Sequence, residues 1–457
     1  MKILNLSKSE IENIAKEGRI SLGVLGLGYI GLPTALLFAK ANLRVIGRDI
    51  DHAKIEKMRN SEVYTYGEKG LEKLLAEVRD RFVPTTEMRD LKDVDVYVLC
   101  VPTLIKPDKT LDLSHLSSTC SDVAQYLSKD DLVVLESTVP PSTTEGLIAK
   151  ILEEGSNLGA GKDFGIAVCP ERADPGNLLE TLVERKRVIG GIDDRSLMAA
   201  SALFSLIVKH EPLRVPNCRT AEVVKVVENS LRDVDIAYAN MIALYCEEMN
   251  VDVGTVIDCV NTHPGRRMLR PSAGVGGACV PVNPYFIIQT AKNLNTALLG
   301  EARKINDFMA THVVAQVVNW LREEGCAKEA TVLMLGYSYK ANIGDVRFSP
   351  SKKIADKLME KNVKVLVYDQ LAKEVVSKED EAIFVDNPYE AADQACCILA
   401  TVGHEVFKSL NLQSLCKKMR KPLFYDCTFQ FDSENLGRIG FKYRGIGRSG
   451  APKRIKA

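Results

Sequence analysis

The run from Ile20 to Asp49 constrains this chain more than any other. Ile20 to Leu25 reads as a short buried strand, and Gly26-Leu27-Gly28-Tyr29-Ile30-Gly31 follows it. An apolar helical pattern then extends to Ala41, and Arg44 to Asp49 is a second strand that ends in an acid. Strand, Gly-x-Gly-x-x-Gly, helix, strand and acid together form the fingerprint of a dinucleotide-binding βαβ unit. Gly26 supplies the tight turn, Gly28 admits a pyrophosphate to the helix N-terminus, and Gly31 lets helix and strand pack. Tyr29 and Ile30 complete the loop. Asp49 is placed to accept hydrogen bonds from the adenosine ribose, and its charge repels a 2′-phosphate, which favours NAD over NADP. Arg48 beside it works against that preference.

The alternation continues. Val94 to Val101 leads into Pro102-Thr103, and Asp131 to Leu135 into Glu136-Ser137-Thr138-Val139-Pro140-Pro141. Gly165 to Val168 leads into Cys169-Pro170-Glu171-Arg172, and Arg187 to Gly191 follows. Ligands of such sheets bind at the carboxyl ends of the strands, so Thr103, Thr138 and Glu171 are candidates for the nicotinamide end. Each alone reads equally well as a helix cap; three on one rim favour a site.

At 457 residues the chain exceeds one ordinary core. Sixty basic and sixty acidic residues balance, which argues against a nucleic-acid or membrane-surface protein. No apolar run approaches the length of a transmembrane helix, and the charged, helical start (Ser7 to Lys16) is unlike a signal peptide. The twelve cysteines form no Cys-x-x-Cys pair and no Cys/His ligand cluster, a pattern of reduced thiols in a cytoplasmic protein without a metal site.

In the middle, Thr220 to Val251 has a helical pattern free of Gly and Pro. Lys225 and Asn229 share one face, with Arg232 and Ile236 continuing the stripe, and can hydrogen-bond an oxyanion or a water. Val223, Val226, Val227 and Met241 are expected to be buried, and the helix to serve a dimer interface. A shorter helix from Asp252 to Asn261 leads to His263-Pro264 and then to Gly274-Val275-Gly276-Gly277-Ala278-Cys279-Val280-Pro281-Val282-Asn283-Pro284-Tyr285. Glycines let backbone approach a ligand, and a single thiol at such a turn is a candidate nucleophile. A buried structural cysteine is the commoner fate of such a residue, as a hydrogen-bonded structural histidine is for His263.

A second nucleotide-like unit follows. Thr331 to Leu335 is a strand entering Gly336-Tyr337-Ser338-Tyr339-Lys340, a helix begins at Ser349-Pro350, and Val363 to Asp369 is the next strand. Its loop keeps one glycine and gains Lys340, enough to bind a phosphate through that lysine and backbone amides but not to cradle a dinucleotide. The predicted fold is therefore α/β: two Rossmann-like doubly wound parallel-sheet domains joined by a long central helix. The expected divisions are 1–210 for NAD, 211–320 for the central helices and thiol loop, 321–442 for the second unit, and 443–457 as a basic, unstructured tail.

These motifs resemble the UDP-sugar 6-dehydrogenases, the family of UDP-glucose and UDP-N-acetylmannosamine dehydrogenases, over nearly the whole chain. The likeness rests on the glycine fingerprint, Val101-Pro102-Thr103, Glu136-Ser137-Thr138-Val139-Pro140-Pro141 and Cys169-Pro170-Glu171-Arg172. It extends to Lys225-x-x-x-Asn229, Gly276-Gly277-x-Cys279-x-Pro281 and Leu335-Gly336-x-x-Tyr339-Lys340-x-Asn342. Pro175-Gly176 after the Pro-Glu-Arg points to the N-acetylhexosamine branch. The resemblance implies NAD, a UDP-sugar substrate bound by the C-terminal domain, and a homodimer or dimer of dimers. It makes Cys279 the nucleophile, gives Lys225 and Asn229 the oxyanions, and gives Glu171 with Thr138 the proton and the water. Arg172, His263, Tyr285 and Lys340 would contact substrate. The chain departs from the pattern at Ala278 (His in the family), Asn283 (Asp), Met241 (Glu), and Gly344 and Phe348 (acids). Asn283 matters most among these, because an amide keeps the shape of a carboxylate but cannot carry charge or accept a proton.

Overall fold

The computed structural model describes residues 2–63, 68–326, 330–376 and 380–448. The chain divides into two compact units, Met1–Glu228 with Tyr285–Leu294, and Asn229–Pro284 with Asn295–Ala457.

The first unit carries β1 (Ser21–Leu25), β2 (Arg44–Arg48), β3 (Phe82–Thr85), β4 (Val96–Leu99), β5 (Leu104–Ile105), β6 (Leu111–Asp112), β7 (Leu132–Leu135), β8 (Gly165–Val168), β9 (Val188–Gly191) and β10 (Leu213–Val215). Eight of them form one sheet in the order β10-β9-β8-β7-β4-β1-β2-β3, while β5 and β6 pair as a separate antiparallel ribbon. From β3 to β8 every pairing is parallel. Successive residues of these strands enter opposite cores: Val96, Val98, Leu132 and Val134 on one face, Tyr97, Leu99, Val133 and Leu135 on the other. Burial on both faces is what a parallel sheet requires.

The segment around Val188 does not continue that parallel run: β9 is antiparallel to β8. After β8 the chain forms only the seven-residue helix Leu178–Glu184. That is too short to carry it back across the sheet, so it re-enters from the carboxyl edge.

The second unit carries β11 (Thr331–Leu335), β12 (Lys364–Tyr368), β13 (Ile383–Phe384), β14 (Cys397–Ala400), β15 (Leu423–Asp426) and β16 (Lys442–Gly445), all parallel, in the order β13-β12-β11-β14-β15-β16. One face of this sheet (Val332, Met334, Val365) shares a core with Met309, Val313 and Trp320 of the helix Ala297–Glu323 and with Ala243 and Cys246. The helices expected as a central region, 211–320, are shared between these two units: the long helix is divided after Glu228, and Ala243, Cys246, Met309 and Val313 pack in the core of the second sheet.

Of the tail expected to be unstructured from residue 443, the described part is ordered. Residues Lys442–Gly445 are strand β16, and the Arg448 guanidinium lies 4.1 Å from the Phe429 ring and 3.3 Å from Asp252. The remainder, 449–457, lies outside the described residues. The long helix spans Cys218–Glu248. Val226 is buried, but Val223, Val227 and Met241 are exposed. Its inward stripe runs from Lys225 through Ser230 to Asp233, the residue one turn beyond Asn229, and not through Arg232.

Candidate functional site

In the first unit the glycine loop is open where a ligand needs it and tight elsewhere. Gly26 has φ +89°, and a Cβ there would lie 2.8 Å from the Cys100 carbonyl oxygen; at Gly31 it would strike the carbonyl of Gly26. At Gly28 a Cβ would meet nothing within 4 Å. The helix Gly31–Lys40 that follows begins without a side-chain cap, whereas Ser7, Asp51 and Asp193 cap other helices of this unit. Free amides above open space are a site for a pyrophosphate. Asp49 Oδ2 accepts from the Leu27 amide at 2.9 Å and Oδ1 from that of Asp51 at 3.0 Å. Arg48 pairs with Asp122 at 3.2 Å, so it is committed away from the ribose position and no longer argues for NADP. Tyr29 hydroxyl donates to Glu68. These residues fit NAD.

At the carboxyl rim of the same sheet, Thr103 Oγ1 donates to the Thr138 carbonyl at 2.6 Å, which joins two of the expected site residues. Glu171 and Lys225 are both buried and lie 3.0 Å apart, and Glu171 also accepts from the Ala173 amide at 2.6 Å. Burial would push the Glu171 carboxyl up, but Lys225, the Ala173 amide and Arg187 outweigh it and hold it below its ordinary value. Arg172 pairs with Glu228 and donates to the Lys186 carbonyl at 2.9 Å. Tyr285 belongs to this unit too, with Lys109 5.6 Å from its ring centre.

The second unit holds the thiol. Cys279 is exposed, and its carbonyl accepts from the amides of Val282 and Asn283 at 3.1 and 2.9 Å, so it sits one turn before the helix Asn283–Thr290. Asn283 is buried, and its Oδ1 accepts from Asn229 Nδ2. The glycines before the thiol are explained by what lies against them. A Cβ at Gly276 would be 2.9 Å from the Phe348 carbonyl oxygen, and one at Gly277 would be 2.9 Å from the Tyr339 ring. Gly277 N–H also donates to the Arg347 carbonyl at 3.0 Å.

Sequence reasoning did not single out Arg347 as a site residue. Its guanidinium holds Asp345 through contacts of 3.0 and 2.6 Å. The Asp345 bond is the chief cause that lifts Arg347 above its ordinary value, with Tyr339 and Cys279 adding to it against burial. The Arg347 main chain is thus bonded two residues before the thiol, and its positive charge and Cys279 favour each other's charged forms. Sequence reasoning also missed the clamp behind the loop. Arg303 pairs with Asp233 at 2.5 Å, and Asn306 donates to Asp233 at 2.9 Å. Asn240 donates to Asn306 at 2.9 Å and accepts from the Ser272 amide at 2.8 Å. His263 is exposed and bonds its own loop, its Nδ1 being 2.9 Å from the Pro264 carbonyl oxygen.

The expected phosphate cradle after β11 is largely filled by the protein itself. The amides of Tyr337 and Ser338 donate to Asp369 Oδ2 at 2.7 and 3.1 Å, and so are not free for a phosphate. Lys340 remains half-buried at the loop's end.

Three family profiles match the chain in succession, near the expected divisions 1–210, 211–320 and 321–442. The profile of the UDP-glucose/GDP-mannose dehydrogenase family's NAD binding domain matches residues 20–208, that of its central domain 219–308, and that of its UDP binding domain 333–433. The chain belongs to this family. A UDP-N-acetyl-D-mannosamine dehydrogenase of Pyrococcus horikoshii is 35% identical over 433 residues, covering 93% of this chain and 99% of that protein. An NDP-N-acetyl-D-galactosaminuronic acid dehydrogenase of Ralstonia solanacearum is 34% identical over 402 residues, covering 86% and 93%. The solved structure of the UDP-D-ManNAc dehydrogenase from Pyrococcus horikoshii superposes with a TM-score of 0.86 at 34% identity, covering 94% of this chain and 100% of that one. The chain is accordingly an NAD-dependent nucleotide-sugar dehydrogenase. The Gly26 loop lies in its NAD binding domain and the Gly336 loop in its UDP binding domain. No helix among the described residues is long and apolar enough to cross a membrane.

Proposed function

We propose that this chain oxidises C6 of a UDP-N-acetylhexosamine, UDP-N-acetylmannosamine first among them, from alcohol to carboxylate, with Cys279 as the covalent nucleophile. The exposed thiol on its glycine turn beside Arg347 carries the reading. NAD held on the Gly26 loop supplies the hydride acceptor for both oxidations. The chain's own residues do the rest. Cys279 Sγ forms a bond to the aldehyde carbon, so that the second oxidation leaves a thioester, and water then cleaves the C–S bond to give the carboxylate and the free thiol. Lys225 and Asn229 donate hydrogen bonds to the oxygen at C6 as charge develops on it. Glu171, kept charged by Lys225, accepts the hydroxyl proton, and Thr138 holds the water. Lys340 binds the diphosphate of the substrate, and Arg172, His263 and Tyr285 are its other proposed contacts. The use of a UDP-sugar and NAD supports work in the cytoplasm. Exposed Leu231, Tyr238 and Tyr245 on the long helix support a homodimer, which light scattering showing a monomer would contradict.

Incubation with NAD and, separately, UDP-N-acetylmannosamine, UDP-N-acetylglucosamine, UDP-N-acetylgalactosamine and UDP-glucose tests the substrate. The corresponding uronate from the mannosamine sugar is expected, and none from any N-acetylhexosamine would refute the reading. The Asn229–Asn283 amide pair favours a second reading, a diverged member that binds both ligands and turns over slowly. Asn283→Asp decides between them. A rise in kcat of about 10² or more, the usual scale for a group in proton transfer, supports the slow member. Unchanged turnover at an ordinary rate rules it out.

A further inference from the structure

Behind Glu171 the first unit buries a second ion pair that the chemistry above does not use. Arg187, at the start of β9, is 1% exposed, and its Nη1 lies 2.9 Å from Glu136 Oε1. Glu136 ends β7 and also accepts from Thr34 Oγ1 at 3.2 Å and from the Cys100 thiol at 3.1 Å. Thr34 belongs to the glycine-loop helix. The Arg187 Nη1 reaches the Pro170 carbonyl, the residue before Glu171, at 3.5 Å, and the Phe204 ring lies 5.6 Å from the guanidinium. Its Nε and Nη2 have no hydrogen-bond partner among the described residues.

A fully buried guanidinium with two idle nitrogens is costly, and a pair of this kind gives little stability over an apolar core. Its position accounts for its presence. Lys225 of the long helix lies 3.0 Å from Glu171, Arg187 reaches the carbonyl of the residue before it, and Glu136 holds Arg187 at 2.9 Å; both cations favour the charged form of Glu171. Cys100 and Cys169, the other titratable groups here, are pushed up by burial and stay neutral thiols.

The geometry points to Arg187 as a positioning residue. Tethered by Glu136 to the glycine-loop helix, it fixes the main chain at Pro170 and keeps a second positive charge behind Glu171, so that Glu136 and Arg187 act on Glu171 in opposite directions. The inference deepens the role proposed for Glu171.

The test reads Glu171 directly. In protein labelled with ¹³C at the glutamate carboxyl carbon, the Glu171 signal is assigned by its loss in Glu171→Gln and followed against pH without substrate. In Arg187→Met the Glu171 midpoint moves to higher pH. In Glu136→Gln, which leaves Arg187 free to attract Glu171, it moves to lower pH. Should either single variant fail to fold, the paired replacement Glu136→Leu/Arg187→Met removes both charges, and the midpoint again moves up. The acid limb of kcat/KM follows the same order, with a loss on the order of tenfold at its acid side in Arg187→Met and little loss at alkaline pH. Shifts in the same direction for both single variants, or no shift in Arg187→Met or the paired replacement, would overturn the assignment. A Glu171 midpoint that shifts as described in a protein that oxidises no UDP-sugar would instead refute the function proposed for the site.

Discussion

The loops after β1 and β11 are built to one plan and do opposite things. Each strand runs into a left-handed glycine, Gly26 at φ +89° and Gly336 at φ +96°. Each is followed by an acid at the end of the next strand, and each acid accepts from the amide just after the glycine: Asp49 from Leu27, Asp369 from Tyr337. The difference lies in the next residues. Gly28 faces open space, whereas its counterpart Ser338 is buried, donating to the Lys340 carbonyl at 2.9 Å and lying 3.2 Å from His404 Nε2. Gly31 starts a helix directly; after Ser338 the chain makes an irregular excursion before its helix starts at Pro350. His404 completes the plug: its Nδ1 accepts from the Asn342 amide at 2.9 Å, which leaves the ring proton on Nε2, 3.1 Å from Asp369. A shared strand and turn therefore do not define a cofactor site. The space left by missing side chains does.

The largest test of that contrast is Gly28→Val. The folded chain has room for the side chain, so thermal stability should change by no more than about 0.5 kcal/mol, while NAD affinity falls by at least about 100-fold because the branched group fills the pyrophosphate space. A titration with NADH beside a melting curve separates the two. Retained affinity would break the comparison.

Asp369→Asn sharpens it from the other side, with a stability loss of about 1–3 kcal/mol at neutral pH and unchanged NAD affinity. Burial would raise the Asp369 carboxyl, but His404 and the amides of Ala372 and Tyr337 outweigh it and hold it below its ordinary value. A carboxylate lowered in this way contributes stability above its unfolded value, near pH ~4, and loses it as pH falls through the folded value. Urea melts of wild type and variant should therefore converge as pH falls below about 4, and a constant gap would show that the charge is not the cause. The smallest expected effect is that of Ser338→Gly/Ala341→Gly, which restores the three-glycine pattern. With Asp369 still holding the amides, calorimetry should count the same one NAD per chain. A second equivalent would mean that glycine number alone distinguishes the loops.

Much of this was legible in the sequence where local rules suffice. Thr331–Leu335 is a strand as read, the reading of Val363 to Asp369 holds as Lys364–Tyr368, and Ser349 caps the helix at Pro350, its Oγ accepting from the amides of Ser351 and Lys352. These elements follow from apolar runs and from side chains bonding their own backbone. What could not be read depends on distant partners. The reversal of β9 follows from the sheet edge at which the chain re-enters, and nothing in Val188–Gly191 states it. Asp233 was overlooked for Arg232 because the inward face is set by Arg303, seventy positions on. Arg347 stood in a motif already noted, yet only the packing of Tyr339 and Phe348 on Gly276 and Gly277 brings it to the thiol. Phe441, Tyr443 and Gly445 carry the signal that basic residues 442–448 obscured, since buried positions alternate with Lys442 and Arg444 there.

The measurement that bears most directly on the whole account is the count of NADH formed per UDP-N-acetylmannosamine consumed, in wild type and in Cys279→Ser. Two NADH per sugar in wild type, with uronate released, and loss of uronate production in the variant are expected of a covalent four-electron oxidation. A single NADH per sugar with free aldehyde as the product, or uronate formed at an undiminished rate by Cys279→Ser, would contradict it.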